Sequence, residues 1–445
     1  MHLFLRSRPA CRPGLGIAVI LFAACGFAGR LEADERPNVI LMLADDFGFE
    51  CLGANGGTSY GTPHLDDLAA TGARFEHCYA QPLCTPTRAQ LMTGQSNVRN
   101  YVRFGFLDPQ QITFAHLFRQ AGYVTGIAGK WQLGGGFDGP RQFGFDEYCL
   151  WQLTRRPPRY ANPGLEIDGR QIDFDAGEYG PDLIQQYALE FVRKHKDHPF
   201  LLYYPMMLTH RPFQPTPDSP DWDPRAIGEE VNQDEKHFRE MTQYMDKQVG
   251  ELVALLEEVG LRKKKTLVIF LGDNGTAKVD SQWRGITVHG AKAQAIDAGT
   301  RVPLIVNWPG RIPAGRVVAD LVDTTDFLPT LCDAATIPIP TMPPIDGQTF
   351  LPLALGAKSS RRDWLYTWYA PNQGRVDEPI EFARTHGYKL FRNGVMHRLD
   401  DRYHEEPLDA NQLDAEATAA RQKLQTVLDR YAGARPPALA SIPDK

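Results

Sequence analysis

The sequence predicts an α/β fold in which a mostly parallel central sheet carries helices on both faces, followed by a smaller C-terminal α+β subdomain with an antiparallel sheet. Short apolar runs of strand length alternate with longer helical patterns along most of the 445 residues, and strands separated by helices typically form a parallel sheet. Beyond a Pro-rich stretch at 337–344, residues 381–399 instead favour short antiparallel strands, and residues 411–431 a final helix.

The predicted strands are short and almost entirely apolar, which is typical of strands buried on both faces of a sheet. They lie at 39–43, 123–128, 200–208, 266–271 and 302–308.

The predicted helices begin at recognisable start signals. Thr62 and Pro63 take the favoured N-cap and N1 positions of one helix, Thr113 caps a second, and Pro181 opens a third. A longer pattern with apolar residues on one face extends over about 234–259. Placed between the strands, these helices supply the layers that cover the sheet.

Residues 1–33 predict an export signal. Basic residues precede an uncharged, mostly apolar stretch at 15–28, which is shorter than the about 20 residues of a membrane-spanning helix. The residues before Cys25 also loosely resemble a bacterial lipobox, so lipid attachment at Cys25 is an alternative. We expect a periplasmic or extracellular mature chain without a transmembrane span, with a large domain at 34–335 and the C-terminal subdomain at 336–445.

The charge of the chain argues against nucleic acid as a partner. The formal net charge is −6, and binding nucleic-acid phosphates needs a basic surface. The cysteines that follow the predicted signal are odd in number and irregularly spaced, so they imply no disulfide framework.

Polar side chains follow three of the predicted strands at the point where each strand ends. Asp45 and Asp46 follow the first, His210 follows the third, and Asp273 and Asn274 follow the fourth. Ligands bind at the carboxyl ends of strands in open α/β sheets, so these side chains should converge. Three carboxylates in one place repel one another unless a cation neutralises them, and oxygen donors suit a hard divalent ion. Each pair, taken alone, is also compatible with an ordinary turn.

Cys84 begins the segment Cys84-Thr85-Pro86-Thr87-Arg88. Proline suits the first turn of a helix, so Cys84 should lie at a positive helix N-terminus, where an anionic nucleophile or ligand is favoured. A buried cysteine that merely precedes a helix would give the same pattern, and the segment alone leaves both interpretations open.

This segment resembles the sequence that marks type I sulfatases, the formylglycine-dependent, arylsulfatase-like family of the alkaline phosphatase superfamily. Other segments similar to the family's motifs occur before and after it, in the family's order, over residues 38–330. They are Asn38 to Asp46 with its double Asp, Gly129-Lys130-Trp131-Gln132-Leu133-Gly134, Thr209-His210-Arg211-Pro212, Asp273-Asn274-Gly275, and Lys292 nine residues before Arg301-Val302-Pro303. A weaker similarity, Gly387-Tyr388-Lys389-Leu390, falls in the C-terminal part.

The resemblance implies a sulfuric ester hydrolase whose catalytic domain spans 34–335 and has the alkaline-phosphatase-like architecture. It implies that a formylglycine-generating maturation enzyme oxidises Cys84 to Cα-formylglycine, and that the hydrated aldehyde, a gem-diol, attacks the sulfur of the ester. The substrate is then a sulfated small molecule or glycan, either a carbohydrate sulfate or an arylsulfate.

The resemblance also assigns two sets of site residues. The calcium ligands are Asp45, Asp46, Asp273, Asn274 and an oxygen of the modified Cys84. The catalytic residues beside Cys84 are Arg88, Lys130, His210 and Lys292, which with Gln132 surround the bound sulfate. Either His210 or Lys292 protonates the departing alcohol.

Gln132 departs from the family's pattern, which places a histidine at this position. Glutamine can hydrogen-bond a gem-diol but cannot accept a proton near neutral pH, so another group takes the proton or turnover is slow. His289 is a candidate for that group, although a histidine in a surface loop is the commoner interpretation. Two alternatives stay open: a phosphonate or phosphate ester hydrolase of the same superfamily, and a sulfated-glycan-binding pseudoenzyme.

Overall fold

The computed structural model of the protein describes residues 36–226, 234–263, 265–358, 362–371 and 378–442. The predicted export signal and the alternative lipid site at Cys25 lie outside these residues. Within them, no helix combines the length and the apolar character that crossing a bilayer requires.

The elements of the described residues follow one another in a largely alternating order. The strands are β1 (Asn38–Ala44), β2 (Ala73–Tyr79), β3 (Val124–Lys130), β4 (Glu147–Trp151), β5 (Gly164–Ile167), β6 (Arg170–Asp173), β7 (Phe200–Pro205), β8 (Thr266–Gly272), β9 (Asp280–Trp283), β10 (Ile286–His289), β11 (Arg301–Asn307), β12 (Arg316–Asp323), β13 (Leu365–Tyr369), β14 (Ile380–Arg384), β15 (Tyr388–Phe391), β16 (Met396–Leu399) and β17 (Glu405–Pro407). The α-helices are α1 (Pro63–Ala70), α2 (Cys84–Thr93), α3 (Asn97–Asn100), α4 (Phe114–Gln120), α5 (Gly139–Gln142), α6 (Gly180–His195), α7 (Lys236–Glu258), α8 (Asp297–Thr300), α9 (Phe327–Ala334), α10 (Leu351–Leu355) and α11 (Ala415–Tyr431).

A ten-stranded sheet forms the centre of the fold, in the order β12-β2-β11-β8-β1-β7-β3-β4-β5-β6. Neighbouring strands from β8 to β4 are parallel, and so are β12 and β2. β11 runs antiparallel between β2 and β8, and β5 and β6 add an antiparallel edge. The predicted α/β class with a mostly parallel central sheet is therefore confirmed.

Helices cover both faces of this sheet. Successive residues of its strands therefore point into two different apolar cores, one on each face. Val39, Leu41 and Leu43 of β1 belong to the core that includes residues of α2, α4 and α9. Ile40 and Met42 belong to the core that includes residues of α1, α6 and α7. All residues of β1 and β8 are buried, so these strands give the loops that follow them a rigid base.

The structure differs from the predicted strands in several places. Before residue 324, the strands that were not predicted are β2, β4, β5, β6, β9, β10 and β12. In β2 and β12, charged residues such as Arg74 and Glu76 of β2 interrupt the apolar pattern. The two strands pair with each other at one side of the sheet, where part of their surface is accessible. The strand predicted at 200–208 ends earlier, at Pro205, and His210 lies in the loop that follows.

The C-terminal part forms a five-stranded antiparallel sheet in the order β13-β14-β15-β16-β17. Tyr366, Ala383 and Leu390 of this sheet share an apolar core with Leu424 and Leu428 of α11. This confirms the predicted antiparallel sheet and final helix. The domain boundary at 335 stays a prediction.

Candidate active site

Adjacent strands of the central sheet bring the predicted site residues to one edge. β8, β1, β7 and β3 are parallel neighbours, so the loops that follow them begin at the same edge. β11 is antiparallel to both β2 and β8, so the chain that leaves β2 toward Cys84 and the chain that enters β11 after Lys292 also lie there. This is the carboxyl edge, where α/β sheets bind their ligands.

Main-chain contacts fix the loop after β1 against the loop after β8. A Cβ on Gly272 would lie 2.1 Å from the carbonyl oxygen of Phe47, so a larger residue would force these two loops apart. The backbone N–H of Asp46 donates to Oδ1 of Asp273 at 3.0 Å, with Asp46 at a φ of 62°. Because Asp and Asn tolerate this left-handed conformation better than most residues, the sequence suits the turn.

Two carboxylates of the site are paired with buried cations. Lys130 Nζ donates to the two carboxylate oxygens of Asp45 at 2.9 and 2.8 Å. Arg88 Nη2 donates to Oδ2 of Asp273 at 2.9 Å and lies 3.8 Å from Oδ1 of Asp45. The side chains of Arg88 and Lys130 are each 1% exposed, so removing one partner would leave an uncompensated buried charge.

Asp46 lies beside Lys292, Asn274 and His210. Lys292 Nζ lies 2.5 Å from Oδ1 of Asp46, and the amide of Asn274 donates to the same oxygen at 2.9 Å. His210 Nε2 lies 3.8 Å from Oδ2 of Asp46, beyond hydrogen-bond distance. The predicted metal ligands and the predicted cations are therefore interleaved in one cluster.

The donor set of this cluster fits a divalent cation. Oδ2 of Asp46 and Oδ1 of Asn274 are buried and accept no hydrogen bond from the described residues. Candidate ligand atoms of Asp45, Cys84 and Asp273 lie within 4.8 Å of one another. A buried oxygen without a partner costs about 1–3 kcal/mol, and a hard cation such as Ca²⁺ is bound by carboxylate and amide oxygens.

Burial and neighbouring charges shift the pKa values of the site in opposite directions. Burial opposes ionisation of Asp45, but the charges of Lys130, His210 and Arg88 outweigh it and hold the pKa of Asp45 well below its usual value. Burial, followed by the charge of Asp45, raises the pKa of Asp273 to about 7. Burial lowers the pKa of His210 to about 3. Carboxylates that share a buried site repel one another in this way, and a cation between them relieves the repulsion.

Cys84 is the first residue of α2 and is buried. Its thiol donates to Oε1 of Gln132 at 2.8 Å, and Gln132 lies two residues beyond β3 with a φ of 57°. Burial raises the pKa of the Cys84 thiol even though Lys130 and Lys292 oppose the shift. The thiolate is the nucleophilic form of cysteine, so the unmodified side chain is poorly activated for attack.

Arg159 also lies at this site, although no sequence pattern indicated it. Its Nη1 is 2.8 Å from Nδ1 of His210, and its guanidinium carbon is 4.0 Å from the ring centroid of Trp151. Tyr160 Oη donates to the carbonyl oxygen of His210 at 2.5 Å. The loop after β4, which carries Arg159 and Tyr160, matches no motif. Only the position of β4 beside β3 could have indicated that this loop reaches the site.

His289 does not have the environment expected of a buried proton acceptor. It ends β10, its side chain is 78% exposed, and its Nδ1 pairs with Oδ1 of Asp280 at 2.7 Å. The structure therefore favours the surface interpretation of His289.

Two family models match the chain. The model described as Sulfatase matches residues 37–337. The model described as N-sulphoglucosamine sulphohydrolase, C-terminal, matches residues 291–430.

The chain is also similar to individual proteins. It is 32% identical to arylsulfatase A of Bos taurus over 411 residues, covering 83% of this chain and 78% of that protein. It is 31% identical to N-acetylgalactosamine-6-sulfatase of Canis lupus familiaris over 423 residues, covering 85% of this chain and 78% of that protein. Among solved structures, Ps i-CgsB has the same fold, with a TM-score of 0.75 and 24% identity over 90% of this chain and 94% of that chain. Ps i-CgsB has also been solved in complex with k-i-k-neocarrahexaose.

Proposed function

The chain belongs to the sulfatase family, and from that premise we propose that it hydrolyses sulfate esters at the carboxyl edge of its central sheet, with residue 84 as the nucleophile. The observation that carries this proposal is the position of Cys84 at the N-terminus of α2, beside the carboxylates of Asp45 and Asp273. The match to the family model over residues 37–337 covers the whole of this site.

Oxidation of Cys84 to formylglycine by a maturation enzyme would supply a hydrated aldehyde as the nucleophile. The buried thiol, with its raised pKa, is a weak nucleophile in its unmodified form, which supports the need for the modification. Gln132 Oε1, now 2.8 Å from the thiol sulfur, would accept a hydrogen bond from a hydroxyl of the modified residue.

The cationic side chains would stabilise charge as the ester bond breaks. A sulfate ester develops negative charge on its bridging oxygen as the S–O bond breaks. Preorganised hydrogen-bond donors around the sulfate lower the barrier to this step. Arg88, Lys130 and Lys292 would face the nonbridging oxygens, held by their present contacts with the carboxylates. His210 or Lys292 would donate a proton to the leaving alcohol.

A calcium ion fits the oxygen ligands of Asp45, Asp46, Asp273 and Asn274, completed by an oxygen of residue 84. When bound, calcium would supply positive charge that favours the anionic form of the nucleophile and stabilises the negative charge of the sulfate. The unpartnered oxygens of Asp46 and Asn274 support this ligand set.

We propose a sulfated carbohydrate as the natural substrate and an arylsulfate as a practical assay substrate. One relative is named as an N-acetylgalactosamine-6-sulfatase, and Ps i-CgsB has been solved with an oligosaccharide. We further propose, from the predicted signal alone, that the enzyme is exported.

The proposal is tested by incubating the matured protein with 4-nitrophenyl sulfate and, separately, with 4-nitrophenyl phosphate and a phenylphosphonate ester. We expect the protein to release inorganic sulfate from 4-nitrophenyl sulfate, and this release should stop when calcium is chelated. Hydrolysis of the phosphate and phosphonate esters should be much slower. Preferred phosphate or phosphonate release would instead support the alternative hydrolase. Tight binding of sulfated glycans without turnover would support the pseudoenzyme.

Gln132 leads to a kinetic prediction. Attack on sulfur would release the alcohol and leave the sulfate bound to one oxygen of residue 84, and loss of the proton from the other hydroxyl would then expel the sulfate and re-form the aldehyde. Because the amide of Gln132 cannot accept that proton, this second step should be slow, and rapid mixing should show a burst of alcohol before the steady state. General-base assistance typically contributes about 10²- to 10⁴-fold, so Gln132→His should raise turnover by part of that factor and reduce the burst. Gln132→Asn, which shortens the amide without adding a base, serves as the control. Absence of a burst together with no gain from Gln132→His would show that another group takes the proton.

A further inference from the structure

The loop that carries Lys292 has little secondary structure of its own to fix it. Lys292 lies between β10 and the short helix α8, and its ammonium reaches Asp46 at 2.5 Å. Its backbone N–H donates to the carbonyl oxygen of Thr276 at 3.1 Å, and the next residue, Ala293, has a φ of 73°. A lysine on such a loop needs external support if its ammonium is to keep one position.

The backbone N–H of Ala293 donates to the carbonyl oxygen of Pro82 at 2.9 Å, and the C-terminal antiparallel sheet supplies further support. Four of its strands each contribute one polar side chain that contacts the loop or the start of α8. We call these side chains the clamp, and they are Tyr369 of β13, Arg384 of β14, Lys389 of β15 and Glu405 of β17.

The clamp binds successive positions of the chain after Lys292. Tyr369 Oη donates to the carbonyl oxygen of Ala293 at 3.2 Å, and Lys389 Nζ donates to that of Ala295 at 3.0 Å. Glu405 Oε1 accepts the backbone N–H of Asp297 at 3.0 Å.

Charged groups within the clamp also pair with one another and with α8. Lys389 Nζ donates to both oxygens of Glu405 at 2.7 Å. Arg384 pairs with Oδ1 of Asp297, and Tyr79 Oη donates to Oδ2 of Asp297 at 3.3 Å. Burial raises the pKa of Asp297, but the charges of Arg384 and Lys389 outweigh it and lower that pKa overall, so the carboxylate stays ionised.

The burial of the charged clamp side chains indicates a role beyond packing the C-terminal sheet against the central domain. The Lys389 side chain is 1% exposed and the Arg384 side chain 4% exposed. Buried ion pairs are often no more stabilising than apolar side chains of similar size, because desolvation offsets their attraction. The hydrogen bonds of the clamp instead hold the backbone of residues 293–297 in a defined position.

We propose that the clamp of the C-terminal sheet positions Lys292 for the reaction, so that residues distant from Cys84 in sequence set the placement of a catalytic ammonium. This inference rests on the proposed sulfatase function. The clamp residues are positioning residues, since their hydrogen bonds and ion pairs in the described structure reach residues 293–297 and none reaches a predicted calcium ligand.

A double-mutant cycle tests this inference with sulfate release from 4-nitrophenyl sulfate as the readout. The variants are Lys389→Met, Lys292→Ala and the combination of both. A displacement of about 1 Å at a catalytic group can cost about 100-fold, so we expect Lys389→Met to lower kcat/KM by about 10- to 100-fold. In the Lys292→Ala background the same substitution should have almost no further effect, because the residue it positions is gone.

The controls separate positioning from general stability. Arg392→Met breaks the ion pair with Glu381 in the same sheet without touching the loop, and it should leave kcat/KM unchanged. If Lys389→Met does not fold, Tyr369→Phe, which removes a single hydroxyl, takes its place in the cycle.

Equal losses in both backgrounds, or unchanged kcat/KM in the folded single variant, would overturn the inference while leaving the sulfatase function intact. A matured wild-type protein without sulfate release would overturn both.

Discussion

Replacing Cys84 with alanine is expected to abolish sulfate release and to leave the fold unchanged. Alanine provides no group that can be converted into the nucleophile, and loss of a nucleophile in other hydrolases lowers kcat by about a million-fold. The structural cost is small, because among the described residues the thiol makes one hydrogen bond, to Gln132, worth about 1 kcal/mol. The measurement is sulfate release at saturating arylsulfate, with circular dichroism and the melting temperature as tests of folding.

Cys78 supplies the matched control for this variant. It lies in β2, only six residues upstream, and is buried in the apolar core rather than at the site. Cys78→Ala should keep its activity per folded molecule even if it loses some stability to the small cavity. Undiminished activity of Cys84→Ala would contradict the assignment of the nucleophile and with it the mechanism.

The substitutions Asp45→Asn and Asp273→Asn are expected to remove bound calcium and activity together. Each takes one negative charge from the oxygen cluster while keeping the shape of the side chain. Loss of partners outside a metal's ligand shell already costs about 10- to 100-fold in affinity, so loss of a ligand charge should cost at least as much. Elemental analysis of the purified proteins and calorimetric titration with Ca²⁺ measure the metal, and sulfate release measures activity.

Asp246 provides a buried carboxylate outside this cluster for comparison. It accepts the backbone N–H groups of His64 and Leu65 at the start of α1, at 3.1 and 2.8 Å. Asp246→Asn should therefore affect stability but not calcium content. Metal content that is unchanged in both Asp45→Asn and Asp273→Asn would refute these two ligands.

The sequence was informative where one strand or helix carries its own signal. The uninterrupted apolar runs of β1 and β8 predicted strands buried on both faces, and Thr113 predicted the start of α4, where it forms a capping box with His116. Asp45, Asp46, Asp273 and Asn274 could be placed near one another because they follow parallel strands. The structure brings these residues together, and their roles stay predictions.

Features that depend on which strands become neighbours could not be read from the sequence. The strand predicted at 302–308 is mostly apolar, like the parallel strands of the sheet, so nothing in its pattern indicated that β11 runs antiparallel to both of its neighbours. Arg159 reaches His210 only because β4 lies beside β3, and Lys389 reaches the loop after Lys292 only because two separate sheets pack together. Such contacts join residues far apart in the chain, and local patterns of apolar and polar residues carry no information about them.

The mass of the tryptic peptide that spans residues 75–88, taken from the active enzyme, shows directly whether Cys84 has been converted to formylglycine. This peptide contains both Cys78 and Cys84, so fragmentation can compare the two positions within one molecule. We expect an aldehyde, or its hydrate, at residue 84 and an unmodified thiol at Cys78. An active enzyme whose peptide carries an unmodified thiol at Cys84 would contradict formylglycine as the nucleophile.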